Sequence, residues 1–121
     1  MIEVLGRDGI RLAATAAGDP ADPPVLLAHG GGQTRHSWHT TTARLGATGW
    51  YAVSIDQRGH GDSAWAPDGD YSLAAFRDDI IAVARTLDRP VLIACTSSCW
   101  SLRISMPRCG RTTVPPLAIV E

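Results

Sequence analysis

Apolar residues along the chain form short blocks that are separated by Gly, Pro and Asp. Residues 2–5 and 10–16 flank an Asp-Gly pair, which predicts a β-hairpin. Continuous apolar runs at residues 25–30, 51–56 and 91–94 are typical of strands that are buried on both faces of a sheet. The pattern therefore predicts a hairpin that is followed by three buried strands.

The segment between the first two buried strands has a modest helical pattern. Trp38, Thr42 and Leu45 recur at intervals of four and three, so they share one side of a helix. Gly46 or Gly49 is expected to end that helix, because Gly is the usual residue just past a helix terminus.

The segment before the third buried strand predicts a clearer helix. Ser72 is a plausible cap at its start, and Pro90 blocks its continuation. The predicted apolar stripe consists of Leu73, Phe76, Ile80, Val83 or Ala84, and Leu87. Strand, helix, strand, helix, strand is the order of an α/β fold, with a parallel sheet and helices on both of its faces.

Composition narrows the class of protein. The 121 residues are enough for one domain, the formal net charge is -1, and the 11 cationic residues are all Arg, scattered along the chain. This balance argues against nucleic acid as a partner. No apolar run has the length of a signal peptide or a membrane span, so we expect a cytoplasmic protein that does not enter a membrane.

The cysteines do not predict a disulfide framework or a metal centre. Cys95, Cys99 and Cys109 are an odd number, and none has a His nearby in the sequence. We therefore expect neither a metal nor another cofactor.

Glycines follow the first buried strand in the sequence AHGGGQTRHSW. Consecutive glycines let the backbone approach a ligand closely, and their amides can face an anion or a developing oxyanion. The simpler alternative is a tight turn between a strand and a helix. A phosphate loop fits less well, because the GxxxxGK[ST] motif needs a Lys and the chain contains none.

A second loop, DQRGHGDS at residues 56–63, follows the second buried strand. Gly59 and Gly61 permit a cramped turn. Asp56, Arg58 and Ser63 are expected to tie the turn together by hydrogen bonds, which makes this loop structural.

These motifs together resemble the amino-terminal half of the α/β-hydrolase fold over residues 1–94. The resemblance rests on HG with further glycines after one buried strand, Trp38, DxRGxGxS after the next strand, and an amphipathic helix that ends in RPVLI. It implies that the amides of Gly31 and Gly32 form part of an oxyanion hole, with His29 and Gly30 shaping the loop.

The family's nucleophile elbow, GxSxG, is missing after the strand at residues 91–94. In the expected register the elbow covers residues 94–98 and the nucleophile position holds Thr96. A shift by one residue places Ser97 there, between two cysteines. A side chain at either glycine position adds steric strain to the turn.

The family's triad runs Ser, then Asp or Glu, then His along the chain. All four histidines, at positions 29, 36, 39 and 60, precede the elbow, and the only acid beyond residue 96 is Glu121. A hydroxyl without a base is a poor nucleophile. Two hypotheses stay open: a hydrolase by descent that is inactive as this chain, with a small molecule as any substrate, and a non-catalytic module that keeps the Gly-rich loop.

Residues 95–121 predict an irregular tail. Pro107, Gly110 and a Pro pair at 115–116 interrupt any helix, and periodicity and motif are lost at one point. A shifted reading frame or a badly joined gene fragment would produce this change; a diverged tail is the alternative. The fold would then be truncated at the elbow, which leaves the strand at 91–94 as an edge that favours aggregation.

Overall fold

The structure of the protein is a computed structural model, and it describes residues 1–94 of the chain. The strands are β1 (Ile2–Leu5), β2 (Arg11–Ala17), β3 (Pro24–Ala28), β4 (Tyr51–Ile55) and β5 (Val91–Ala94). The helices are α1 (His39–Ala47) and α2 (Leu73–Ala84), and short 3-10 segments lie at Arg7–Gly9 and Arg35–Trp38. The predicted tail lies outside the described residues.

The strands form one mixed sheet in the order β1-β2-β4-β3-β5. β1 and β2 are the predicted hairpin, and β2 continues antiparallel to β4. β3 lies between β4 and β5 and runs parallel to both. The predicted α/β architecture is confirmed, and within residues 1–94 β5 is an edge strand.

Apolar side chains of the sheet pack in two layers, one on each face. On one face, Ile80 and Val83 of α2 pack against strand residues that include Leu26 and Val53. On the other face, Val25, Leu27 and Ala52 are covered by Trp38 and Leu45. Because neighbouring strand residues point to opposite faces, each buried run serves both layers.

Of the two glycines that were predicted as alternatives to end helix α1, the structure selects Gly49. The helix ends at Ala47, and Gly49, with φ +87°, lies just beyond that end. Gly46 lies inside the helix, where an added Cβ would be 2.7 Å from the Cβ of Ala17. Gly46 therefore allows α1 to approach β2 closely, and it does not end the helix.

The helix α2 begins as predicted, with the Ser72 hydroxyl accepting a hydrogen bond from the Ala75 amide at 3.2 Å. It ends at Ala84, although Leu87 still packs against the core. The prediction that Leu73 belongs to the buried apolar stripe is wrong, because Leu73 is 58% exposed. Leu73 is the first residue of α2, and it is not among the residues that pack against the core.

Candidate functional site

The carboxyl ends of the parallel strands meet at one edge of the sheet. β3 ends at Ala28, which pairs with Ile55 of β4 on one side and with Ala94 of β5 on the other. The Gly-rich loop after β3 and the loop after β4 therefore leave the sheet side by side, and β5 ends next to both. In open parallel sheets this edge is where ligands bind.

The Gly-rich loop contains a tight turn from Gly30 to Gln33. The amide of Gln33 donates to the carbonyl of Gly30 at 3.2 Å, and the side-chain oxygen of Gln33 accepts from the Gly30 amide at 3.1 Å. Gly32, the third residue of the turn, has φ +73°. A type II turn needs such a φ at this position, which explains a glycine here.

The amides of Gly31 and Gly32 are the available donors of this turn. Both residues are exposed, and neither amide donates a hydrogen bond to an acceptor within residues 1–94. The preceding amide, of Gly30, is already used by Gln33. Two adjacent free amides at the carboxyl edge are suited to stabilising a developing oxyanion.

His29 is a buried structural histidine. Its Nδ1 lies 2.8 Å from the carbonyl oxygen of Gly30, and its Nε2 accepts from the amide of Gln57 at 3.1 Å. A carbonyl only accepts, so Nδ1 carries a proton. Nε2 accepts from an amide, so it carries none, and the ring is neutral. Burial lowers the pKa of His29, and a positive charge on the neighbouring His60 would lower it further. Neither ring nitrogen of His29 is free to act as a general base.

His60 lies against His29, with 5.0 Å between the ring centroids. Its Nδ1 donates to the carbonyl of Arg58 at 3.0 Å, and its ring meets Phe76 of α2 edge-on. The remaining two histidines, His36 and His39, are exposed. The structure therefore brings two of the four histidines, one from each loop, into contact.

The turn at residues 56–63 is held by internal hydrogen bonds, as predicted for Asp56 and Ser63. One carboxylate oxygen of Asp56 accepts from the amide of Asp62 at 3.0 Å. The hydroxyl of Ser63 donates to the carbonyl of Asp56 at 2.6 Å and accepts from the amide of Ala13 at 2.8 Å. These contacts close the turn and fasten it to β2.

Asp56 also forms a buried ion pair with Arg35. The Arg35 amide donates to Asp56 at 2.6 Å, and its guanidinium contacts the same carboxylate and also Asp62. Burial raises the pKa of Asp56, but hydrogen bonds from the Arg35 and Asp62 amides and from the Arg35 guanidinium outweigh it and hold the pKa below its ordinary value. Asp56 is therefore ionised at neutral pH.

The prediction that the Arg58 side chain ties the turn together internally is wrong, because its hydrogen bonds leave the turn. Its guanidinium donates to both carboxylate oxygens of Asp79, at 2.6 and 2.7 Å, and to the carbonyl of Asp70 at 2.8 Å. Arg58 therefore joins the turn to α2 and does not bridge within the turn. The hydrogen bonds that Arg58 donates to Asp79 raise the pKa of Arg58.

Sequence reasoning missed Arg35 and Gln57. Arg35 is 21 positions from the carboxylate that it pairs with, and nothing local marks it as buried. The Gln57 side chain donates to the carbonyl of His29, 28 positions away. The only sequence signal for Arg35 is its place close to the Gly-rich loop, with acids in the neighbouring loop, and Gln57 has none.

The two candidate nucleophile positions, Thr96 and Ser97, lie outside the described residues. Within residues 1–94, no three His, Cys, Asp or Glu side chains cluster closely enough to hold a metal ion. In the same range no helix is both long and apolar enough to cross a membrane.

The sequence of this chain is similar to those of known hydrolases. The profile of the alpha/beta hydrolase family matches residues 25–101. Esterase Rv0045c of Mycobacterium tuberculosis is 42% identical over 65 residues, which cover 54% of this chain and 21% of that protein. Epoxide hydrolase A of the same organism is 39% identical over 57 residues, covering 47% of this chain and 18% of that protein. The matched part spans about a fifth of these relatives.

Solved structures match over a larger part of the chain. A thioesterase domain from the curacin biosynthetic pathway superposes with a TM-score of 0.70 at 28% identity, over 78% of this chain and 36% of that one. Epoxide hydrolase A from Mycobacterium thermoresistibile gives a TM-score of 0.68 at 29% identity, over 77% and 30%.

Proposed function

Because the chain belongs to the alpha/beta hydrolase family, we propose that residues 1–94 are the oxyanion-binding part of a hydrolase, with the Gly31 amide as the donor and the Gly32 amide beside it. The reaction is nucleophilic attack on an ester, lactone, epoxide or similar bond of a small molecule. The relatives named as an esterase and an epoxide hydrolase support this range of bonds. We place the reaction in the cytoplasm, as the sequence predicts.

One observation carries the proposal. The two amides without an acceptor lie in the loop that follows Ala28, and Ala28 pairs with Ala94, the last residue of β5. In this family the nucleophile follows that strand, so attack would occur next to the free amides. An oxyanion donor typically contributes about 100- to 1000-fold to the rate.

We further propose that the 121-residue chain does not turn over an ester by itself. It contains no GxSxG sequence and no His beyond residue 60. Both ring nitrogens of His29 are engaged, so this histidine cannot assist a hydroxyl at Thr96 or Ser97. The two missing features and the engaged His29 support the proposal that the nucleophile position lacks the family's usual base.

A non-catalytic ligand-binding or interaction module is the second candidate. The free amides of Gly31 and Gly32 favour it, because they can hold an anion without any nucleophile. Under this alternative, a small carboxylate binds at the loop and no bond is cleaved.

The test is hydrolysis of p-nitrophenyl acetate by the purified chain and by a Thr96→Ala, Ser97→Ala, Ser98→Ala variant. We expect the same background rate from both proteins. Turnover by the chain that disappears in the triple variant would contradict the inactivity.

The nucleotide sequence gives an independent test of a frame error. Translated in its other two frames from about codon 94, it should encode a GxSxG elbow, followed downstream by an Asp and then a His. If neither frame encodes a serine elbow within a few codons, the frame-error explanation is wrong.

A further inference from the structure

Each end of the Gly-rich loop is hydrogen-bonded to one residue of the neighbouring loop, and these two residues are consecutive in the sequence. The loop starts at His29, which contacts Gln57, and it ends at Arg35, which contacts Asp56. The turn that carries Gly31 and Gly32 lies between these attachment points and is itself not bonded to the neighbouring loop.

The attachment at His29 consists of two hydrogen bonds. The amide of Gln57 donates to the His29 ring at 3.1 Å, and the Gln57 side chain donates to the His29 carbonyl. The first bond holds the side chain of His29 and the second holds its backbone. The strand end and the start of the turn are therefore fixed relative to β4.

The attachment at Arg35 is a buried ion pair with a backbone bond. Asp56 accepts from the Arg35 amide at 2.6 Å and from the Arg35 guanidinium, and the Arg35 side chain also reaches Thr15 of β2 at 3.1 Å. The exposed fractions of the Arg35 and Asp56 side chains are 6% and 0%. Water does not compete at this attachment, so the bonds keep their strength.

We propose that Asp56 and Gln57 are positioning residues, which hold the Gly31 and Gly32 amides in place before any ligand binds. The inference rests on the proposed function for its chemical meaning, because oxyanion donors are effective when they need no reorganisation during the reaction. The rigidity itself is a property of the free chain. It can be measured without a substrate.

A second buried ion pair supplies the matched control. Arg58 and Asp79 are each 3% exposed and share two hydrogen bonds, but they join the turn to α2 and contact no residue of the Gly-rich loop. Breaking this pair removes a comparable buried contact. A purely structural role for Asp56 would make the two pairs equivalent.

The experiment is backbone ¹⁵N relaxation of the full 121-residue chain, compared with its Asp56→Asn and Asp79→Asn variants. In the parent chain we expect order parameters near 0.85 for Gly31 and Gly32. Asp56→Asn should lower both below about 0.6, while Asp79→Asn leaves them unchanged. Gly69, an exposed glycine in another loop, is the internal reference.

Equal order parameters in the parent and a folded Asp56→Asn chain would overturn the proposal, as would an equal loss in both variants. If either variant lacks dispersed resonances from β4, Gln57→Ala decides, because it leaves both ion pairs in place. A drop of about 0.1 or more at Gly31 supports the proposal, and no drop overturns it. A negative result in this experiment would contradict only the rigidity of the loop. The oxyanion role itself would be contradicted by a different result: an active family member that keeps its full turnover when the geometry of the corresponding amides is disrupted.

Discussion

The loops after β3 and β4 lie side by side at the carboxyl edge, yet they use their polar groups in opposite ways. In the loop at residues 56–63, Asp56, Arg58 and Ser63 are buried, and each is hydrogen-bonded to a residue outside the loop. In the loop after β3, Gly31 and Gly32 are exposed, and their amides have no acceptor within residues 1–94.

This difference indicates that the loop at residues 56–63 supports the fold, while the loop after β3 has groups available to a ligand. A loop whose buried polar side chains are bonded within the fold has few of them left to offer a ligand, and those side chains are needed for stability. A loop that keeps free donors while its ends are held elsewhere is available to a ligand and stays in position. Both loops are rich in glycine, so glycine content alone does not distinguish them.

The largest expected effect comes from breaking the buried pair that joins the loops. Asp56→Asn removes the buried carboxylate that pairs with Arg35 and leaves its guanidinium only the more exposed Asp62, which should lower the free energy of unfolding by about 3 kcal/mol. Urea denaturation monitored by circular dichroism measures the loss. The control is Asp88→Asn, since Asp88 is exposed and its ion pair with Arg89 spans 3.5 Å. Equal denaturation midpoints for the two variants would contradict the support role.

The sequence predicted most of the fold because the decisive signals are local. Apolar runs marked the buried strands, and Ser72 and Pro90 bracketed the second helix. Leu73 was misassigned because periodicity cannot tell which end of an apolar stripe extends past the sheet. Of the two glycines predicted to end the first helix, Gly49 does so; the sequence did not distinguish them, because the close packing of Gly46 against Ala17 has no signature in the residues around it.

The candidate site was predictable only in part. The glycines after β3 were recognised from their motif, and the hydrogen bonds of Asp56 and Ser63 were expected from the turn chemistry. Arg35 and Gln57 could not be identified, because their partners are far away in sequence and a buried Arg is rare. The position of Gly31 relative to the end of β5 depends on strand order, which local patterns do not encode.

A glycine in each loop gives the next largest expected effect. Gly61 and Gly32 have φ +49° and +73°, so alanine is strained at both by about 1–2 kcal/mol. At Gly61 an added Cβ would also collide with the Asp56 carboxylate, whereas at Gly32 it meets nothing within 4 Å. Gly61→Ala should therefore lower the free energy of unfolding by at least about 1 kcal/mol more than Gly32→Ala. Equal losses in thermal denaturation would show that the loops do not differ in packing.

The smallest expected effect is a pH dependence that comes from His29. Burial lowers the pKa of His29, so its neutral form is favoured in the folded state. The stability from this preference is complete above the unfolded pKa of 6.5 and is lost as the pH falls through the folded pKa. Denaturation midpoints between pH 7.5 and 5 should therefore fall in the parent chain and fall less in His29→Gln.

The control for the pH dependence is His36→Gln, since His36 is exposed. This variant should follow the parent chain over the same range. A His29→Gln protein whose midpoint falls as steeply as that of the parent would show that His29 is not the group that titrates.

Amide hydrogen exchange, measured residue by residue on the full chain, tests the central claim most directly. The amides of Gly31 and Gly32 should exchange within about tenfold of the rate of an unstructured peptide, because no acceptor within residues 1–94 protects them. The amides of Gly59, His60 and Asp62, which donate to acceptors in their loop or at the residue just after it, should exchange roughly 100-fold more slowly. Protection of Gly31 and Gly32 as strong as that of Asp62 would mean that their amides are already bonded, and the account of an available oxyanion site would be wrong.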